Sequence, residues 1–160
     1  MSLFKLLMVL PFVALAACGF TPVYGTNGSA NVLLNSVLVV EPKTRDGYLL
    51  TKQLETRLGR AANPRFDLGL EITTSEEALN INTEGNIERF NLLGIASFTL
   101  RDTQTGQITT SGKVNSFTGY SATGTTVATQ AAQHDAQKRL MVILADLIIT
   151  NLIANADLPT

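Results

Sequence analysis

Apolar residues recur along the chain in more than one rhythm, and each rhythm predicts a different element. Val32–Val40 (VLLNSVLVV) is apolar at nearly every position, as a strand covered on both faces should be, and Pro42 stops it. From about Asp46 to Ala62 the spacing becomes helical, with Leu50, Leu54, Leu58 and Ala61 on one stripe and Asn63-Pro64 closing the segment. From Phe66 the period falls to two. Leu68, Leu70 and Ile72 face one way and Asp67, Glu71 and Thr73 the other. Leu79 and Ile81 continue in the opposite phase, which predicts a bulge or bend near Thr74–Ala78. Thr83–Asn86 reads as a turn. Phe90, Leu92, Ala96, Phe98 and Leu100 then alternate with polar residues, Asp102–Gly106 makes a second hairpin turn, and Ile108, Val114 and Tyr120 line a last strand.

A Gly/Ser/Thr loop, Gly119–Thr125, leads into a long helix from about Thr126 to Ala154. Ala132, Ala136, Leu140, Ile143, Leu147 and Ile148 form its predicted buried stripe. Its second half is apolar nearly all round yet too short to span a bilayer, so it should be buried under the sheet or against a partner. The order is β-α-β-β-β-α. It predicts an α+β domain over residues 32–160, a two-layer sandwich of a four-stranded mixed sheet and two helices. The β-α-β crossover should be right-handed with its two strands parallel, and the hairpins make the rest antiparallel.

Ahead of this domain lies a different kind of segment. Lys5 precedes an apolar stretch, Leu6–Leu15, which at about ten residues is half of what a membrane span needs. Ala16 and Ala17 follow, so residues 1–17 have the order of an export signal: a basic end, a short apolar core and small residues at a cleavage site. The sequence Leu15-Ala16-Ala17-Cys18 matches the bacterial lipoprotein box, and its cysteine is the only one in the chain. Cys18 is therefore the expected attachment point for a diacylglycerol and an N-acyl chain, enough for stable anchoring. Gly19 follows, where sorted lipoproteins retained at the inner membrane resemble one another in carrying aspartate, so the outer membrane is the expected destination. Residues 18–31, with three glycines and a proline, read as a flexible tether.

Composition narrows the function. The chain has 160 residues with 12 basic and 13 acidic side chains, only 16 % charged and 45 % hydrophobic. No basic face or tail of the kind that drives nucleic-acid binding stands out. One cysteine and one histidine leave no disulfide framework and no Cys/His zinc site. His134-Asp135 suggests a general base, but neighbours on a helix point about 100° apart, and a solvated helix face accounts for them. Glu76-Glu77 suggests paired carboxylates, but strand neighbours face opposite sides. The loop from Gly119 has phosphate-cradle composition without the Gly-Lys-Ser/Thr ending of a nucleotide loop, and a plain helix cap accounts for it. Neither an enzyme nor a cofactor is indicated.

The opening Cys18-Gly-Phe-Thr-Pro-Val-Tyr-Gly25 resembles the LptE family of lipopolysaccharide-assembly lipoproteins in its alphaproteobacterial form. The C-terminal helix is similar too, in Asp135-Ala136, Arg139-Leu140 and Leu144-Ala145-Asp146. The β-α-β-β-β-α order agrees with that family's fold. The resemblance implies a lipoprotein that plugs a large outer-membrane β-barrel, LptD, helps it assemble and assists delivery of lipopolysaccharide to the cell surface. It implies no catalytic residue and carries over one position, Cys18. A structural lipoprotein scaffolding another envelope complex, with no lipid cargo, is the alternative. Family members have been linked to lipopolysaccharide through basic residues near the second-to-third strand turn and before the last helix. Here Thr83–Asn86 and 119–130 contain no Lys or Arg. If the strands run as expected, Lys43, Arg45 and Arg89 instead collect at one end of the sheet, beside the loop into the last helix, and are the candidate lipopolysaccharide contacts.

Overall fold

The computed structural model describes residues 29–40, 43–81 and 83–156. The elements, in chain order, are α1 (Ser29–Leu33), β1 (Val37–Val40), α2 (Arg45–Leu58), β2 (Phe66–Ile81), β3 (Ile87–Asp102), β4 (Ile108–Ser121) and α3 (Thr126–Asn155). The strands form one mixed sheet in the order β1-β2-β3-β4, with β1 parallel to β2 and the other pairs antiparallel. The expected α+β sandwich is thus present, with one short helix added at its start.

That helix is the main departure in the first segment. Val32 and Leu33 belong to α1, and the strand begins only at Val37. Asn35 turns the chain between them with φ 56°, a left-handed conformation that asparagine tolerates well. Ala30 and Leu33 are buried, so the last part of the expected tether packs on the domain. Cys18 and the rest of residues 1–28 lie outside the described residues.

Helix α2 starts at Thr44, whose hydroxyl accepts from the Gly47 amide at 3.0 Å. It stops at Gly59, before the expected end at Ala62, because Gly59 takes φ 77° and the Asn35 amide donates to the carbonyl of Leu58 at 2.7 Å. A side chain at position 59 would collide with Asn35, so the chain reversal requires glycine. Ala61 consequently lies past the helix.

Strands β2 and β3 stay in register from Phe66↔Asp102 to Ala78↔Phe90. The predicted irregularity falls at Leu79, one residue beyond the expected stretch, where the ladder skips from Ala78 to Asn80. Strand β4 runs on to Ser121, so the loop before α3 is shorter than expected.

Both long helices lie on one face of the sheet. The core joins Leu33, Val37 and Val39 to Leu50, Leu54 and Leu58 of α2, the even-numbered positions of β2 and β3, and the inner face of α3. That inner face consists of Ala136, Leu140, Met141, Leu144, Ala145, Ile148 and Leu152. Ile143 and Leu147 instead face outward, at 36 % and 37 % exposure. Gly94 lets α3 approach closely: a Cβ there would lie 3.0 Å from both Leu140 and Leu144.

Candidate functional site

Away from the apolar core, a polar seam joins the helices to the far half of the hairpin β2–β3. Asp46, in the first turn of α2, accepts from the Thr74 hydroxyl at 2.7 Å and from the Gln137 amide. Two residues further along β2, Glu76 accepts from the Tyr120 hydroxyl at 3.0 Å and from Gln133 at 2.6 Å. Burial, reinforced by the Glu76 carboxylate, pushes the Tyr120 phenol up to about 12 and keeps it a donor. The Tyr120 ring stacks on Phe90 at 5.3 Å. On the same strand as Tyr120, Thr118 donates to the Ala136 carbonyl at 2.9 Å, and Arg139 reaches the Gly119 carbonyl at 3.0 Å. The seam fixes how α3 lies across the strands.

Sequence reading foresaw none of these pairings, because the partners are separated by 18 to 91 positions. The available hint was the spacing of Gln133 and Gln137, one turn apart on α3. Glu76 and Glu77 do face opposite sides. His134 is exposed, and Asp135 bonds Arg139 rather than the imidazole. Arg45, Glu76, Leu92, Gln133, His134 and Gln137 line an open hollow of about 210 Å³. That is below the range of about 300–1,000 Å³ in which small-molecule sites fall. Among the described residues no group of His, Cys, Asp and Glu is placed to hold a metal.

The three candidate cations do not share a face. Lys43 and Arg45 flank the start of α2 on the helix side. Arg89 alternates with Phe90 and Leu92, which face the helices, so it projects from the opposite surface, beside Gly119. The phase of β3 sets the face, since Arg89 occupies an odd-numbered position. Register sets the level: β1 ends opposite Gly69 and α2 begins at the level of Thr74, short of the turn near Arg89. None of the three forms a salt bridge with another described residue, whereas Arg57 pairs with Asp146, Arg60 with Glu55, and Arg65 with Asp102 at 3.8 Å.

The helix-free face of the sheet is broad and mostly polar. Glu71, Thr73, Ser75 and Glu77 of β2, Ser97, Thr99 and Arg101 of β3, and Ser111, Lys113 and Asn115 of β4 point from it. An apolar island interrupts them where Leu93 lies opposite Phe117 with Ile95 beside it; Phe117 is 62 % exposed. Among the described residues no helix is long and apolar enough to cross a membrane.

Comparison with known proteins agrees with this architecture. A family model described as LptE, lipopolysaccharide-assembly, matches residues 34–152. A candidate lipoprotein from Caulobacter crescentus CB15 is 25 % identical with a TM-score of 0.65, covering 78 % of this chain and 92 % of that one. A minor lipoprotein from Acinetobacter baumannii is 26 % identical with a TM-score of 0.57, covering 79 % and 99 %. Rare lipoprotein B from Shewanella oneidensis, at 18 % identity and TM-score 0.54 over 73 % and 91 %, shares the fold. Comparison with curated protein sequences gives no match.

Proposed function

The chain belongs to the LptE family of lipopolysaccharide assembly, and from that premise we propose that it is the lipid-anchored plug of an LptD-type outer-membrane β-barrel. In this reading Cys18 carries the S-diacylglycerol and N-acyl chains and holds the protein to the periplasmic side of the outer membrane. The domain enters the barrel, supports its assembly and takes part in lipopolysaccharide delivery. Its role is to bind and to shape, with no catalysis and no nucleic acid.

The observation that carries the reading is the shape and polarity of the sheet. Strand β3 has 16 residues, a length of about 50 Å. That exceeds the roughly 40–45 Å of a bilayer with its headgroups, so such a sheet can run the height of a barrel. The helix-free face, rich in Thr, Ser and Asn, suits a wet, polar lumen. Lipopolysaccharide contact belongs to the proposal through Lys43 and Arg45 on one side and Arg89 on the other, as two separate contacts.

Depletion tests the function. Loss of the protein should lower both the amount of correctly assembled barrel and the lipopolysaccharide at the cell surface. Unchanged surface lipopolysaccharide after depletion would overturn the transport role and favour the structural scaffold.

A further inference from the structure

The two edges of the sheet are built differently. Strand β1 covers β2 only from Phe66 to Gly69. Beyond that point no strand among the described residues pairs with the outer edge of β2, which continues to Ile81. Native sheets blunt such edges with charged side chains, lysine above all, or with proline, bulges or brevity, because unpaired backbone groups template further pairing; the charges on this part of β2 are all acidic, Glu71, Glu76 and Glu77. The β4 edge carries Lys113 and the glycines Gly112 and Gly119. The stretch Leu70–Ala78 has no lysine, proline or glycine and stays in unbroken register up to the irregularity at Leu79.

The direction of the edge amides follows from the ladder. The Phe66 amide donates toward β1, to the Ser36 carbonyl at 3.0 Å. Backbone groups alternate sides along a strand, so the amides of Ile72, Thr74, Glu76 and Ala78 point to the open edge. Glu71 and Glu77 project from the helix-free face beside it, both exposed.

Those two charges select the occupant. In the antiparallel register that overlaps the whole of Leu70–Ala78 with a second copy, Glu71 of each copy falls opposite Glu77 of the other. Like charges directly opposite disfavour that pairing, whereas lysine or arginine across from them favours it. We propose that the β2 edge from Leu70 to Ala78 accepts an extended strand from a different protein, by backbone pairing, with Lys or Arg on the strand's alternate side chains facing away from the helices. The inference rests on the barrel reading only for which chain supplies the strand.

The test uses the detergent-solubilised lipoprotein and amide hydrogen exchange read residue by residue. The probe is a ten-residue peptide alternating lysine with valine. A second peptide of the same sequence is N-methylated at alternate residues, which keeps its charges and blocks pairing. At a concentration ten times its Kd the first peptide should slow exchange at Ile72, Thr74, Glu76 and Ala78 about tenfold, and the methylated one should leave it unchanged. In a variant combining E71K and E77K, a peptide alternating aspartate with valine should protect the same amides better than the lysine peptide. No slowing at these four amides at millimolar peptide overturns the proposal, as do equal slowing by the methylated peptide and protection confined to β4. Barrel levels after depletion report on the function separately, so either reading can fail alone.

Discussion

Truncation of single side chains on α3 distinguishes the two ways its apolar surface could be oriented. Leu144 has no exposed surface and lies against Gly94, which has no side chain to move into a vacated space. Leu144→Ala therefore loses both the transfer free energy of the removed atoms and the packing around an unfilled cavity, about 3–4 kcal/mol. Ile143 and Leu147 are more than a third exposed and are not among the partly buried residues packed on the core. Ile143→Ala and Leu147→Ala should each cost only about 1 kcal/mol, since part of each side chain is already in water, solvent fills the space left behind, and alanine favours the helix. Urea unfolding followed by circular dichroism reads the difference as a displaced midpoint at constant slope. Equal losses at positions 143, 144 and 147 would refute the packing argued here. A larger loss at 143 or 147 than at 144 would restore the orientation expected from sequence.

Four further outcomes follow from the structure and the proposed role. Cys18→Ser should release the protein to the soluble periplasm in cells lacking the barrel, whereas a protein still pelleting with the outer membrane would count against the anchor. Tyr120 has a folded pKa of about 12 against an ordinary 10.0; its stabilising contribution is complete below 10 and declines as pH rises through that interval, so a stability loss there should vanish in Tyr120→Phe. Asp102 accepts from the Gln104 and Thr105 amides at 2.8 and 2.9 Å. The Thr105 amide foremost, with help from the Gln104 amide and Arg65, lowers its pKa. Its stabilisation is therefore present above the ordinary carboxylate value and lost as pH falls through the folded one, so Asp102→Ala should lower the urea midpoint at neutral pH, with the difference from wild type shrinking in acid. Changing Lys43, Arg45 and Arg89 together to Gln should weaken lipopolysaccharide binding at low salt, where screening is least, and unaltered affinity there would remove these residues from the proposed contacts.

What could be read from sequence divides along physical lines. The hairpins β2–β3 and β3–β4 were legible because one face is buried and the other wet, which imposes strict alternation. Helix α2 was legible for the same reason, and its end was misplaced only because Gly59, rather than Asn63-Pro64, supplies the stop. The segment Val32–Val40 was misread because a short apolar run fits a buried helix and a buried strand equally. The orientation of α3 was legible only in part: Ala136, Leu140 and Ile148 are buried as expected, but Leu140–Ile149 is apolar nearly all round, with Asp146 its one charge, so periodicity does not separate Ile143 and Leu147 from Met141 and Leu144. The polar seam of Asp46, Thr74, Glu76, Gln133 and Gln137 depends on contacts between distant segments, which no local pattern encodes. The two faces occupied by the candidate cations follow from the phase of β3, which turns Arg89 away from the helices, and from the register of β1, whose end lies opposite Gly69 while β2 continues to Ile81.

The central claim concerns a partner, and purification of the lipoprotein from detergent-solubilised outer membranes tests it most directly. A tagged protein carrying its lipid anchor should bring down a large β-barrel protein in comparable amount, stable to washing at high salt because the contact is an enclosed one. Recovery of the lipoprotein alone, or with a soluble or inner-membrane partner in place of a barrel, would contradict the account.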